Sequence, residues 1–222
     1  EPWIAACSQL VDHAPDAVLA EHVARHGGEL ARLARGLDAR VPAAPDPQAS
    51  DPETERYLLF AAVSGALTAL ASATPVCLVL DDLHWADAQT VALLKHVARE
   101  TDGCGLQIIV AYRDSDVGKD HPLAPVLADL RRLDGIERIA LRGLEAEDVA
   151  HMLAAAAGHE LDEDGIALAG EIATETDGNP FFVGEVLRSL LESGRLLFDE
   201  DSGRWRVDRS QPLGLPESVR DV

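Results

Sequence analysis

Aromatic, sulfur-containing and basic side chains are all scarce in this chain. Aromatic residues make up 4% of its 222 residues, so the core must consist largely of aliphatic side chains. The three cysteines are an odd number without C-x-x-C spacing, which excludes a disulfide framework and favours a reducing, cytoplasmic setting. Lys and Arg total 19 against 39 Asp and Glu, a formal net charge of −20. That charge argues against direct nucleic-acid contact and against binding to anionic membranes.

Long apolar runs are also missing, and a leader segment is not expected. No uninterrupted stretch approaches about 18 apolar residues, so a membrane span is not expected. The first residues carry no basic cluster, so no signal peptide is expected, and the missing initial Met suggests a segment of a longer protein. A hydrophobic content of 47% excludes a disordered acidic tail, and the length allows one large domain or two small ones.

Helical patterns fill the chain before the first predicted strand. Apolar residues over about 18–37 follow a 3.6-residue period that is interrupted at Gly27 and Gly28. A proline-rich connector at 41–47 cannot be helical, and we expect it on the surface. A second helical pattern covers 52–73 and ends before a proline.

Strands and helices then alternate along the chain. The apolar run 76–80 predicts a strand that is buried on both faces of a parallel sheet, with Cys77 as a small buried side chain. Asp87 is placed to cap the next helix, residues 106–111 predict a second strand, and 138–141 is a shorter candidate for a third. This alternation indicates an open α/β sheet.

The chain becomes mainly helical after residue 144. Three amphipathic patterns predict three helices, the last ending near Gly194. Residues 196–198 and 205–207 predict a β-hairpin. We therefore expect an α/β part at 1–143, a small helical part at 144–194 and a hairpin with its continuation at 195–222.

Two adjacent carboxylates, Asp81 and Asp82, follow the first predicted strand. Open α/β sheets bind ligands at the carboxyl ends of their strands. Adjacent acids repel each other there unless their roles differ, so one can hold Mg²⁺ while the other polarises an attacking water. The alternative is a polar strand end followed by Asp87 as a helix cap. A further alternative is the metal centre of a hydrolase, for which Asp81, Asp82, His84 and Asp87 must converge.

Residues 81–87 (DDLHWAD) resemble the Walker B region of the ATPase module in large LuxR-type, MalT-like transcriptional regulators, a group of AAA/STAND-type P-loop NTPases. Residues 108–114 (IIVAYRD) resemble the sensor strand of that module. Residues 176–182 (TDGNPFF) resemble the Gly-x-Pro motif of its helical lid, and 215–220 (LPESVR) resemble the start of its winged-helix segment. The resemblance implies an incomplete P-loop NTPase parallel sheet, followed by the lid, a hairpin and the lead-in to the winged helix.

The resemblance also implies roles for individual residues. Asp81 would coordinate Mg²⁺, Asp82 would orient the hydrolytic water, Arg113 would contact the γ-phosphate and Pro180 would lie against adenine. ATP and Mg²⁺ are therefore the implied ligands. Without the resemblance, Arg113 is explained as a solvated strand end, and Pro180 as the first residue of a helix capped by Asn179.

One motif of that family is absent from the 222 residues. No G-x-x-x-x-G-K segment followed by Ser or Thr occurs, and the single Gly-Lys pair, Gly118-Lys119, comes after the sensor strand. In the family this loop precedes the point where the chain begins, so we expect truncation and weak or no ATP binding by this segment alone. The implied partners are the effector and C-terminal domains of an intact parent ATPase, whose oligomeric state stays open.

Two other classes of function remain alternatives. One is a non-catalytic interaction or scaffold module that keeps the fold without nucleotide turnover. The other is the metal-dependent hydrolase described above. His22 and His26 stand four residues apart and could also ligate a metal, but we expect them on a solvated helix face.

Overall fold

A two-stranded parallel sheet with helices around it forms the first part of the fold. The computed structural model describes residues 2–101, 103–199 and 204–208, which form two compact units that divide between Glu137 and Arg138. The helices of the first unit are α1 Pro2–His13, α2 Asp16–His26, α3 Leu37–Arg40, α4 Pro52–Ala73, α5 Ala88–Glu100 and α6 Leu123–Leu130. Its strands are β1 Val76–Leu80 and β2 Leu106–Val110, and short 3₁₀ turns lie at Glu29–Arg32, Leu83–Trp85 and Asp114–Asp116.

The parallel pairing of β1 with β2 confirms the predicted α/β class. The register runs from Val76 opposite Leu106 to Leu80 opposite Val110, with α5 as the crossover between the strands. One face of the sheet joins the core, where Leu78 and Leu80 lie in the same buried cluster as Leu67 of α4. Local sequence signals determine where these helices begin and end. Helix α4 covers the predicted residues 52–73, and α5 begins directly after Asp87, the predicted cap.

The prediction that the first strand is buried on both faces is wrong. Cys77 is exposed, and the side chains of Val79 and Ile109 are 60% and 44% exposed. Alternate residues of a strand point to opposite faces, so the side that carries Cys77 and Val79 is uncovered by the described residues. The apolar run that suggested two covered faces therefore includes a face that the described residues leave exposed.

The predicted third strand at 138–141 is also wrong. This segment has no regular structure, and Ile139 and Leu141 are 74% and 91% exposed. A strand needs a neighbour that pairs with its backbone, and within the described residues the only partner of β2 is β1. Alternating apolar residues are therefore not sufficient for a strand here.

The second unit contains three helices and a hairpin. Its elements are α7 Ala146–Ala157, α8 Glu163–Glu175, α9 Pro180–Glu192, β3 Leu196–Asp199 and β4 Arg204–Val207. Val149, Ile172 and Val186, one from each helix, are buried in its core. The antiparallel pairing of β3 with β4 and the positive φ of Gly194 (69°) confirm the predicted hairpin and helix end. The predicted winged-helix segment at 215–220 lies outside the described residues.

Helix α4 is the one described helix that is long and apolar enough to cross a membrane. Length and composition are weak evidence on their own, because core helices of soluble proteins meet the same criteria. In this structure Ala62, Val63, Ala66 and Leu67 of α4 are buried inside the first unit.

The expectation of a solvated helix face at His22 and His26 is wrong for His22. Its side chain is buried, and neither ring nitrogen has a hydrogen-bond partner in the described part of the chain. The two rings stack with their centroids 4.8 Å apart, and the ring of His26 lies against Gly65 of α4. Burial, and to a smaller extent His26, lowers the pKa of His22 to about 4. Hydrophobic periodicity alone could not show which side of α2 the other helices cover.

We expect the free energy of unfolding to decrease as the pH is lowered, because of His22. The unfolded chain takes up a proton near pH 6.5, whereas folded His22 resists protonation down to about pH 4. The stability due to neutral His22 is therefore complete above pH 6.5 and falls by up to about 3 kcal/mol as the pH drops to about 4. Denaturant unfolding at several pH values should show a shallower pH dependence for His22→Leu than for the wild type.

The exposed His13 provides the control for that measurement. His13→Asn should keep the wild-type pH dependence, because that ring is exposed at the end of α1. Equal pH dependence in His22→Leu and the wild type would show that His22 does not cause the loss.

Candidate functional site

The candidate site lies where the chain leaves β1. Asp81 and Asp82 follow the last strand residue, and both side chains are exposed. Asp82 adopts the left-handed conformation with φ 51° and ψ 39°, which Asp tolerates better than most residues. Its backbone N–H donates to Asp81 Oδ1 at 2.9 Å. The chain therefore turns sharply at Asp82 and presents both carboxylates at the carboxyl edge of the sheet.

Backbone hydrogen bonds join this turn to the end of the neighbouring strand. Ala111 N–H donates to Leu80 O at 3.0 Å, and Leu83 N–H donates to Ala111 O at 2.9 Å. Arg113 follows two residues later, so its backbone stands beside the turn while its side chain is exposed. The structure thus brings the segments of Asp81, Asp82 and Arg113 to one edge of the sheet.

A buried histidine lies beneath the turn. The His84 side chain is 2% exposed, and its Nδ1 accepts a hydrogen bond from Arg113 N–H at 3.4 Å. Its Nε2 stands 3.8 Å from Asp82 Oδ1 and 3.6 Å from Asp116 Oδ2. The main-chain oxygen of His84 accepts from His121 Nε2 at 2.9 Å. We call these residues the His84 cluster: Asp82, His84, Arg113, Asp116 and His121.

Asp116 and His121 were not among the residues predicted from the sequence. Both follow β2, in the polar segment that leads to α6. Because the carboxyl ends of parallel strands share an edge, polar residues after the second strand could have been paired with those after the first. The polar segment 114–121 after an apolar strand was therefore the sequence signal that could have indicated Asp116 and His121.

The four residues proposed for a hydrolase metal centre do not converge. Among the described residues, no group of three or more His, Cys, Asp or Glu side chains is arranged to hold a metal ion. Asp87 is instead the N-cap of α5, as predicted: its Oδ1 accepts from Thr90 N–H at 2.7 Å. That hydrogen bond holds the pKa of Asp87 below its usual range.

Asp81 and Asp82 nevertheless fit a magnesium nucleotide by donor type. Proteins commonly hold Mg²⁺ with one or two carboxylates, while substrate phosphates and water fill the other positions. Both carboxylates are exposed at the strand end, where such a ligand binds in α/β sheets. The two residues therefore supply suitable oxygens without forming an all-protein metal cage.

Residues 2–110 match the family model for the AAA ATPase domain. The match supports an AAA-type P-loop NTPase module. It spans slightly less than half of the chain and includes both parallel strands, Asp81, Asp82 and His84, whereas Arg113 and Pro180 lie beyond it. No curated protein and no solved structure was found to match.

Pro180 belongs to the second unit, which lies beyond the residues that match the AAA ATPase domain. It is the first residue of α9, and Asn179 Oδ1 caps that helix by accepting from Phe181 N–H at 3.0 Å. Both features agree with the helix start predicted from the sequence. Pro180 is exposed at this position.

The glycine before this helix start is required by close backbone packing. Gly178 has φ 66°, and its oxygen accepts from Leu144 N–H at 2.8 Å. A Cβ atom on Gly178 would lie 2.1 Å from Leu144 O, and one on Gly143 would lie 1.8 Å from Asp177 O. The segment 176–180 therefore contacts the chain that leads into α7 so closely that neither glycine has room for a side chain.

Proposed function

We propose that this chain is part of an ATP-binding and ATP-hydrolysing switch module of a bacterial LuxR-type transcriptional regulator. One observation carries the proposal: Asp81 and Asp82 leave a parallel strand in a turn that is hydrogen-bonded to the end of the neighbouring strand. These residues lie within the part of the chain that matches the AAA ATPase domain. The AAA-type match supports nucleotide binding, and the roles of individual residues are part of the proposal.

Each site residue has a role in this proposal. Asp81 holds Mg²⁺, which when bound neutralises part of the phosphate charge. Asp82 accepts a hydrogen bond from the attacking water and orients it towards the γ-phosphate. Arg113 contacts the γ-phosphate from the end of β2, and Pro180 lies against adenine as part of the helical lid.

The proposed switch acts through the helical unit. Nucleotide hydrolysis or exchange alters how the lid packs, and the change passes to the effector and C-terminal domains of the protein. The charge of −20 supports a segment that does not itself touch nucleic acid. Cys7, Cys77 and Cys104 are free, which supports a cytoplasmic location.

A non-catalytic scaffold is the second candidate, and charge favours it. Four exposed carboxylates lie near the candidate site, while Arg113 provides positive charge there. The 222 residues also contain no G-x-x-x-x-G-K loop, whose backbone N–H groups and lysine normally offset the charge of the phosphates. The exposed carboxylates are Asp81, Asp82, Asp114 and Asp116.

Titration calorimetry with Mg-ATP distinguishes the two functions. We expect residues 1–222 to show no micromolar binding, because nothing strong offsets the phosphate charge. We expect the protein as its gene encodes it to bind Mg-ATP with a Kd of about 100 μM or tighter, since typical KM values of enzymes lie below about 1 mM. The same protein should release phosphate from ATP in a steady-state assay.

The results expected for the switch differ from those expected for the scaffold. Binding and turnover by the gene-encoded protein support the switch. The lack of both in that protein would favour the scaffold, and micromolar binding by residues 1–222 would overturn the dependence on the missing loop.

A further inference from the structure

His84 connects two segments that the proposed mechanism needs to hold together. Its Nδ1 accepts from Arg113 N–H, so in the neutral ring Nδ1 carries no proton and Nε2 carries it. The Nε2–H group faces the carboxylates of Asp82 and Asp116 at 3.8 and 3.6 Å. Nδ1 is thus directed at the chain after β2, and Nε2 faces both the turn after β1, at Asp82, and the chain after β2, at Asp116.

A second histidine fixes the backbone of the same turn. His121 Nδ1 accepts from Leu123 N–H at 3.1 Å, which leaves the proton on Nε2. That Nε2–H donates to the main-chain oxygen of His84 at 2.9 Å. The turn after β1, the end of β2 and the start of α6 are therefore linked through His84 and His121.

The polar character of His84 is costly at this position. The ring is almost fully buried, and Nε2 has no hydrogen-bond partner among the residues that the structure describes. A buried polar atom that lacks a partner destabilises a protein, whereas an apolar side chain of similar size would fill the space without that cost. Packing alone therefore accounts poorly for a histidine that faces two carboxylates.

We propose that His84 is a positioning residue that sets the Asp82 turn relative to Arg113. This inference rests on the proposed function, in which Asp82 orients water and Arg113 contacts the γ-phosphate. His84 touches neither nucleotide nor water in that scheme and acts through the two residues that do. The Nδ1 contact holds the end of β2, and the Nε2–H group faces the Asp82 carboxylate at 3.8 Å, close enough for electrostatic attraction though not for a hydrogen bond.

Three substitutions separate these contacts. His84→Asn keeps an acceptor near Nδ1 and loses the Nε2 donor, His84→Gln keeps a donor near Nε2 and loses the Nδ1 acceptor, and His84→Leu removes both while filling the core. His22→Leu is the matched control, because His22 is another buried histidine of the first unit that lies outside the His84 cluster. The unfolding midpoint of each variant shows whether it folds.

Amide hydrogen exchange of residues 1–222 tests the contact itself. In His84→Leu and His84→Gln the Arg113 amide should exchange about tenfold faster or more than in the wild type, because it loses its acceptor. His84→Asn and His22→Leu should keep the wild-type rate. Wild-type exchange in both His84→Leu and His84→Gln would overturn the coupling to Arg113.

ATP turnover by the gene-encoded protein tests the positioning role. We expect His84→Leu to lower kcat by about tenfold or more with KM for ATP within about twofold, because transition-state geometry changes while nucleotide binding does not. His84→Asn and His84→Gln should each retain more activity than His84→Leu, and His22→Leu should match the wild type. If His84→Leu fails to fold, the Asn and Gln variants decide in its place, again by a lower kcat with KM for ATP within about twofold of the wild type.

Failure of this inference differs from failure of the proposed function. Wild-type kcat in a folded His84→Leu protein would overturn the positioning role while leaving ATP turnover intact. A wild-type protein without ATP turnover would overturn the proposed function and the positioning role that rests on it. The Arg113 exchange data would then still decide whether His84 holds the two segments together.

Discussion

Replacing Asp82 with Asn should lower ATP turnover by about 100-fold or more in the gene-encoded protein, with ATP affinity within about twofold. The amide that replaces the carboxylate is neutral and is a much weaker acceptor for a proton of the attacking water. A group that acts on the water rather than on the nucleotide affects kcat and leaves binding nearly unchanged. Steady-state phosphate release and Mg-ATP calorimetry provide the two values.

The backbone at Asp82 makes Asn a conservative test. Asp82 has φ 51°, in the left-handed region where Asn and Asp are the best tolerated residues after glycine. The hydrogen bond from its N–H to Asp81 Oδ1 uses the main chain and is available to Asn. Its side chain is exposed, so the substitution should leave the free energy of unfolding within about 0.5 kcal/mol of the wild type.

An exposed aspartate elsewhere in the first unit provides the control. Asp38→Asn on α3 makes the same change of charge and should leave turnover unchanged. Unchanged turnover in Asp82→Asn would remove Asp82 from the water-orienting role. A loss of ATP affinity equal to the loss of turnover would instead place Asp82 in nucleotide or Mg²⁺ binding.

Replacing Gly178 with Ala should lower the free energy of unfolding of the second unit by about 3 kcal/mol or more. The new Cβ would stand 2.1 Å from Leu144 O and 2.4 Å from Leu144 N, and neither backbone atom can move independently of its neighbours. A φ of 66° also disfavours any side chain. Exchange protection of amides in α7, α8 and α9 measures the loss in this unit.

Gly184 is the matched control, since it lies within α9 and a Cβ there meets nothing within 4 Å. Gly184→Ala should leave stability unchanged or raise it by about 0.5–1 kcal/mol, because alanine favours helices. Equal effects of the two substitutions would show that close contact with Leu144 does not destabilise alanine at position 178. The measurement also tests whether segment 176–180 is fixed by packing independently of any nucleotide.

Local signals predicted much of the fold. Helix α4 follows the predicted helical pattern and ends before Pro75, and the run 76–80 lies between that proline and two aspartates. The hairpin and the capped start of α9 were likewise predicted from neighbouring residues. In contrast, Ile139 and Leu141 alternate as they would in a strand, yet pairing depends on a neighbouring strand that local sequence cannot reveal.

Only the part of the candidate site formed by residues next to each other in the sequence was predictable. Adjacent carboxylates after an apolar strand indicated Asp81 and Asp82, whereas Arg113 was indicated only by the family resemblance. The ring of His84 between two segments could not be deduced, because its contacts join residues about thirty positions apart. His22 was misjudged for a related reason: burial depends on which helix covers a face.

The face of the sheet that the described residues leave exposed gives the chain a native attachment point for a chemical label. Cys77 is exposed there, whereas Cys7 is buried and its thiol has a pKa raised to about 12, which keeps it unreactive near neutral pH. Cys104 is half-buried, and its Sγ donates to Thr101 O. A maleimide dye can therefore be directed to Cys77 without mutagenesis, and its emission would report any protein surface that comes to cover that side of β1.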